Sequence, residues 1–411
     1  MGKQNLLCNY CTLLIVSVLL FLISCVGFND KGTGSDLNNT SEIVESLNFS
    51  YDPFSNTYDA DFHSKVFSNL LLNENSTHFV ATKSDTSQLE SLFVEIKRGY
   101  SLEKGTVDSL IERQYHNFPH AMDVLVTTHL LLESGGRVFL TDEEEAALLI
   151  AALGHDALHS GVFNSFLIRS NHPYALEDGN KSIQEKRSLK FLLNALDANS
   201  IFVSEKGASD QEKDTNMNSR KLIQEAILWT DMARHKEQVD SVKEVLPILI
   251  SKLNKARKKQ DLSNSQLGSS HSDIENGIDL SSELPSEVRH LVAGFILHCA
   301  DVSNLGKPWV LSEKWAFLVC SEFFTQGDLE KQLKMDVSMN CDRESTSIPK
   351  SQINFGKYVI EELYQLLAKI ISDGGGQIIE NYKNNQARWA ELFAEEEKSG
   401  KRYEYSKLRQ I

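Results

Sequence analysis

Along most of this chain the apolar residues recur at helical spacing, and no stretch alternates as a half-buried strand must. Ala146, Leu149, Ile150 and Leu153 form one such stripe, and Val359, Leu363, Leu366, Leu367 and Ile370 form another. Thr141 followed by Glu144 has the spacing of a capping box and starts the first of these helices. Gly374-Gly375-Gly376 reads as a stop after the second. A parallel α/β protein would carry buried strands between its helices, and none is visible. The expected fold is all-α. A chain of 411 residues can bury a sizeable core, and residues 61–411 read as one helical domain.

The amino terminus has a different texture. Gln4 to Asn29 carries no charge, Leu13 to Leu22 is nearly all Leu, Ile, Val and Phe, and Lys3 supplies a positive start. This is the pattern of a secretory signal. It ends in Leu22-Ile23-Ser24-Cys25, which resembles a bacterial lipobox. Residues 1–25 are therefore expected to be a lipoprotein signal peptide, with an uncleaved membrane anchor as the alternative. Either way the body hangs from a membrane, and the single Lys3 on the inner side puts it outside the cytoplasmic membrane. Residues 26–60 are polar and rich in Gly, Ser and Asn, as a flexible tether would be. The tracts Val203–Arg220 and Gln260–Glu283 share that composition and read as surface loops. Asn39, Asn48 and Asn75 sit in Asn-x-Ser/Thr sequons, which are common by chance in such tracts.

Charge narrows the function. The balance of 42 Lys+Arg against 57 Asp+Glu gives a net −15, which argues against a nucleic-acid partner held by charge. Lys252, Lys255, Arg257, Lys258 and Lys259 make one short basic run, read as a solvated helix face. Cys8, Cys11 and Cys25 belong to the N-terminal segment, and Cys299, Cys320 and Cys341 lack metal-ligand spacing. A disulfide framework and a zinc finger are both excluded.

Metal-competent side chains concentrate in four segments. In Tyr115-His116-Asn117-Phe118-Pro119-His120 the two imidazoles are four apart and would share a face of a continuing helix, with Pro119 marking its first turn. Gly154-His155-Asp156-Ala157-Leu158-His159 follows a buried apolar run, where a charged pair is costly to desolvate unless it is paired or on a metal. Thr230-Asp231-Met232-Ala233-Arg234-His235 is the third, and His298-Cys299-Ala300-Asp301-Val302-Ser303-Asn304 the fourth. Each segment alone is explained as well by a structural histidine or a buried cap. Together, His120, His155, Asp156 and Asp301 offer two nitrogens and two carboxylates, a donor set for zinc with a harder ion beside it.

YHNFPHAMDV, HDALHSGVFN, TDMARH, HCADVSN, EFFTQGDLE and SQINFGKY, in this order, resemble the catalytic domain of the class I cyclic nucleotide phosphodiesterases, a helical member of the HD superfamily. The resemblance implies that His120, His155, Asp156 and Asp301 hold a zinc ion. Asp156 would bridge to a second ion, magnesium or manganese. His159, Thr230 and Glu185 would hold the waters of those ions. His116 would be the general acid, in a hydrolysis of 3′,5′-cyclic AMP or cyclic GMP to the 5′-monophosphate by a hydroxide between the ions. Gln352 would hydrogen-bond the purine, Phe355 and Val319 would clamp it, and Tyr115 and Asn304 would line the pocket. Gln352 and Phe355 are three apart, so on a helix the amide and the ring share one face.

The chain departs from the family pattern in three places. Gln184-Glu185-Lys186-Arg187-Ser188 stands where a Glu-Asn-His-His run is usual, Ala157-Leu158 replaces a hydrophobic-Asp pair, and Leu305 replaces a proline. Two rival readings follow from the residues themselves. One is a different HD-superfamily nucleotide phosphohydrolase, which would leave Gln352 and EFFTQGDLE unexplained. The other is an inactive module that binds cyclic nucleotides.

Overall fold

The computed structural model describes residues 44, 47–55, 58–72, 85–101, 113–264 and 278–404, which belong to one compact unit. The segment expected as a signal or anchor, most of the stretch expected as a tether, and residues 265–277 of the second polar tract lie outside the described residues. Among the described residues there is no strand, and no helix is long and apolar enough to cross a membrane.

The helices run α1 Ala60–Leu72, α2 Thr86–Gly99, α3 Phe118–Glu133, α4 Asp142–Gly154, α5 Asn164–Arg169, α6 Pro173–Asp178 and α7 Ile183–Ala198. They continue with α8 Asp210–Leu228, α9 His235–Asn264, α10 Ser286–Asp301, α11 Trp309–Gln332 and α12 Ile348–Phe355. A π turn, Gly356–Ile360, leads from α12 into α13 Glu361–Ile370, and α14 Ser372–Ser399 follows.

At the centre lies α4. Its start is the expected capping box, with the Thr141 hydroxyl accepting from Glu144 N–H and the Glu144 carboxylate accepting from Thr141 N–H. Every residue from Ala146 to Leu153 is fully buried, so this helix is apolar all round rather than striped. Packed around it are α3, α8 and α10. Where α10 meets α8 the backbones approach so closely that a Cβ on Gly294 would lie 2.7 Å from Cδ1 of Trp229. The connection after α10 is pinned to α3 by a buried ion pair: Lys307 Nζ donates to Asp123 Oδ1 and to Thr127 Oγ1, both at 2.7 Å. Burying such charges is tolerable only because each is paired.

Three sequence expectations are corrected. Val203–Arg220 is not all loop: α8 begins at Asp210, because Ser209 caps the Glu212 N–H and Asp210 and Glu212 suit the positive end of the helix dipole. The three glycines do not stop a helix. Helix α13 ends earlier, at Ile370, and Gly374–Gly376 sit inside α14, where a Cβ on Gly375 would come within 3.0 Å of the Ala368 backbone. The stretch expected as tether is packed at its far end, where Tyr51 is buried and the Phe54 ring rests 4.6 Å from that of Trp315. The helix start near Pro119 is as expected: Asn117 is the N-cap of α3, so His116 precedes the helix that carries His120. The basic run lies on α9 with Lys255, Lys258 and Lys259 exposed.

Candidate active site

Three helix ends deliver the four expected metal ligands. His120 stands in the first turn of α3, where Pro119 is compatible with a helix start and the Asn117 side chain accepts its N–H at 3.3 Å. His155 and Asp156 follow the last residue of α4, and Asp301 is the last residue of α10. Their donor atoms all lie within 4.8 Å of one another. His120 Nε2 is 3.0 Å from Asp301 and 3.5 Å from Asp156, and His155 Nε2 is 3.3 Å from each.

These residues fit a divalent cation. The Nδ1 of His155 is 2.9 Å from the Ala152 carbonyl, a contact that requires the proton on Nδ1 and leaves Nε2 facing the carboxylates. That buried Nε2 has no hydrogen-bond partner. Burial alone would lower the His155 pKa, but Asp156 and Asp301 outweigh it and hold it well above the usual value. The cluster therefore demands positive charge, which a divalent ion supplies.

Directly after Asp156 the chain turns sharply. Leu158 takes φ +64°, a left-handed conformation costly for a branched side chain. The turn is held from outside: Leu158 N–H donates to Gly99 O at 2.9 Å, and Arg113 donates to His159 O and Tyr100 O, both at 2.8 Å. The family-divergent segment also braces it. Gln184 Nε2 donates to Ser160 Oγ and Val162 O, and Ser188 Oγ donates to Ala157 O.

His116 stands beside the cluster, with its ring 3.8 Å from that of His159 and its Nδ1 against Glu322 Oε1. Burial pulls the His116 pKa down, but Glu322 outweighs burial and raises it to about 9. His159, buried and next to His116, is pushed down to about 3. One imidazole thus carries a proton at neutral pH and its neighbour does not. Glu185 accepts from Asn164 Nδ2 at 2.9 Å, and burial, with help from Asp231, lifts its pKa to about 7.

Above these groups opens a cavity of ≈ 540 Å³. Tyr115, Thr230, Asn304, Val319, Gln352 and Phe355 all line it, together with Asp156, His159, Glu185 and Asp301. Gln352 and Phe355 share α12, as their spacing requires, and Asn304 Oδ1 is buried without a hydrogen-bond partner. Sequence reasoning gave no role to Glu322, although it opens the EFFTQGDLE motif; a glutamate in the middle of the long α11 carries no local sign that it faces a histidine. Phe323 and Phe163, whose rings meet edge-on at 4.7 Å in the cavity wall, were missed for the same reason.

An all-helical body with a His/Asp cluster at the floor of a nucleotide-sized cavity has clear relatives. Over residues 115–381 the chain matches the 3′5′-cyclic nucleotide phosphodiesterase family, and it belongs to that family. It is 28% identical over 273 residues to the 3′,5′-cyclic-AMP phosphodiesterase 4C of Rattus norvegicus, covering 66% of this chain and 46% of that one. It is 29% identical over 276 residues to the dual specificity calcium/calmodulin-dependent 3′,5′-cyclic nucleotide phosphodiesterase 1 of Drosophila melanogaster, covering 66% and 27%. The chain spans less than half the length of these curated relatives. The phosphodiesterase domain of the RhoPDE fusion protein from Salpingoeca rosetta has the same fold, with a TM-score of 0.66 at 23% identity over 86% of this chain and 97% of that one.

Proposed function

We propose that this protein hydrolyses 3′,5′-cyclic nucleotides to nucleoside 5′-monophosphates. The observation that carries the reading is the pairing of a metal-type cluster and the His116–Glu322 pair on one side of the cavity with an amide-and-ring face on another. His120, His155, Asp156 and Asp301 would hold zinc, which suits two imidazoles with carboxylates, and Asp156 would share a magnesium or manganese ion whose waters His159, Thr230 and Glu185 reach. When bound, such ions supply Lewis acidity toward the phosphate oxygens and make water acidic near neutral pH.

The chain's own residues account for the rest. The 3′ oxygen leaves as an alkoxide unless it is protonated, and His116 carries the proton at neutral pH. General-acid catalysis of this kind contributes about 10²–10⁴-fold. Glu322 keeps that proton on the ring by pairing with Nδ1 and so fixes the ring's orientation. Gln352 offers a donor and an acceptor to a purine edge, while Phe355 and Val319 enclose its faces.

The test is turnover of cyclic AMP and cyclic GMP by the full chain with zinc and magnesium, with Asp301→Ala as control. Formation of 5′-monophosphate, lost in the variant and on chelation, is the expected result. Binding of either nucleotide without turnover by folded, metal-loaded protein would favour the inactive module instead. We also propose attachment to a membrane through the N-terminal segment; release of Cys25→Ser into the soluble fraction is the expected outcome if Cys25 carries a lipid.

A further inference from the structure

Gln352 and Phe355 stand on α12, which has eight residues and passes straight into the π turn. A helix that short is marginal by itself, so its position is set by whatever grips it. Helix α14 grips it at both ends. At the start of α12 the Ser347 hydroxyl accepts the Lys350 N–H at 3.2 Å and donates to the Glu396 carboxylate. The other oxygen of Glu396 accepts the Tyr403 N–H at 2.6 Å, so the chain beyond α14 fixes this carboxylate in turn. At the far end, Gln386 Nε2 donates to Gln352 O at 3.3 Å. Its amide lies so close to Gly356 that a Cβ there would stand 2.3 Å from Nε2. Gly356 takes φ −54°, which any residue adopts, so this glycine serves by the room it leaves to Gln386. Between the two grips, Lys350 Nζ lies 5.4 Å from the centre of the Phe393 ring. Gln386, Phe393 and Glu396 recur at helical spacing along one face of α14.

We propose that Gln386 and Glu396 are positioning residues, which together seat α12 so that Gln352 and Phe355 present one fixed face to a nucleobase. Neither of the two lines the cavity, so each acts only through α12. Loosening either grip lets the short helix shift as a body and carries the amide and the ring with it. The metal-type ligands come from other elements and stay in place. The effect therefore falls on binding and not on the chemical step. The seating of α12 stands by itself; only its effect on KM rests on the hydrolytic reading above.

Hydrogen exchange on the full chain without nucleotide tests the seating. Gln386→Glu keeps the shape of the side chain but turns its donor into an acceptor facing Gln352 O. Amides of residues 351–356 should exchange about tenfold faster than in the wild type, with those of α4 unchanged. Unchanged protection in α12, or an equal loss in α4, overturns the proposal whatever the activity. Kinetics tests the consequence. Gly356→Ala presses on Gln386 from the other side and should raise KM several-fold with kcat nearly unchanged. In Gly356→Ala/Gln386→Ala the added methyl enters the space the amide has left, so the double variant should have a lower KM than Gly356→Ala alone. Independent effects of the two substitutions, or a fall in kcat at constant KM, overturn the proposal. Absence of turnover in the wild type would sink the hydrolytic reading and leave the exchange result to decide the seating.

Discussion

Glu322 holds both the ring and the backbone of His116: one oxygen meets Nδ1, and the other accepts the N–H of Tyr115 at 2.9 Å and of His116 at 3.1 Å. A single buried carboxylate therefore sets the position of this imidazole and the strength with which it keeps its proton. The glutamate is affected in turn. Burial would raise its pKa, but His116 outweighs burial and holds it at about 2.

This relationship predicts a pH profile. The active form of His116 is the protonated one, so turnover should fall as the pH rises through its pKa of about 9. In Glu322→Gln the largest raising charge is gone while burial remains, so the alkaline limb of kcat/KM should move to lower pH. A limb that stays near its original position would mean that another group controls it.

The base-facing wall predicts a split in the kinetic constants. Phe355→Ala removes a ring that can stack on the purine, worth about 1–3 kcal/mol by analogy with base–aromatic stacking elsewhere. KM should rise with kcat nearly unchanged, because the ring touches no reacting atom. His116→Asn should do the reverse, lowering kcat by about 10²–10⁴ with little change in KM. Steady-state kinetics on both variants checks the pair.

Lys307 and Asp123 predict a stability effect far from any substrate. Lys307→Met leaves a buried carboxylate without its cation, which typically costs about 3–5 kcal/mol. Lys307→Met/Asp123→Leu removes both charges and should recover much of the loss. Denaturant unfolding of the single and double variants measures it, and additive losses would mean that the pair is not coupled.

The left-handed turn predicts a gain. Asparagine adopts the conformation of Leu158 more readily than leucine, which bears a cost of roughly 1–2 kcal/mol there. Leu158 is only partly buried, so little packing is lost by Leu158→Asn. The melting temperature should rise while the hydrogen bond from residue 158 N–H to Gly99 O is kept. An unchanged or lower value would show that the leucine side chain contributes more than its backbone costs.

Much of this was legible because local signals agreed with the fold. The Thr141–Glu144 box, Pro119 and the apolar run before His155 each say where a helix begins or ends, and the four metal-type ligands lie at or within a turn of such ends. Spacing failed where a contact depends on tertiary placement. His116 and His120 share no helix; the turn before α3 brings their ring centroids to 6.0 Å. Glu322 is 206 residues from His116, and nothing local announces the pairing. The glycine run misled because glycine marks a helix end when the chain needs positive φ, whereas here it gives α14 room beside α13.

The metal-type cluster comes from α3, α10 and the turn after α4, while Gln352 and Phe355 stand together on the short α12. These two groups belong to different stretches of chain that meet only across open space. On the proposed reading, substitutions on α12 would change the fit of a nucleobase and leave the metal-type cluster untouched.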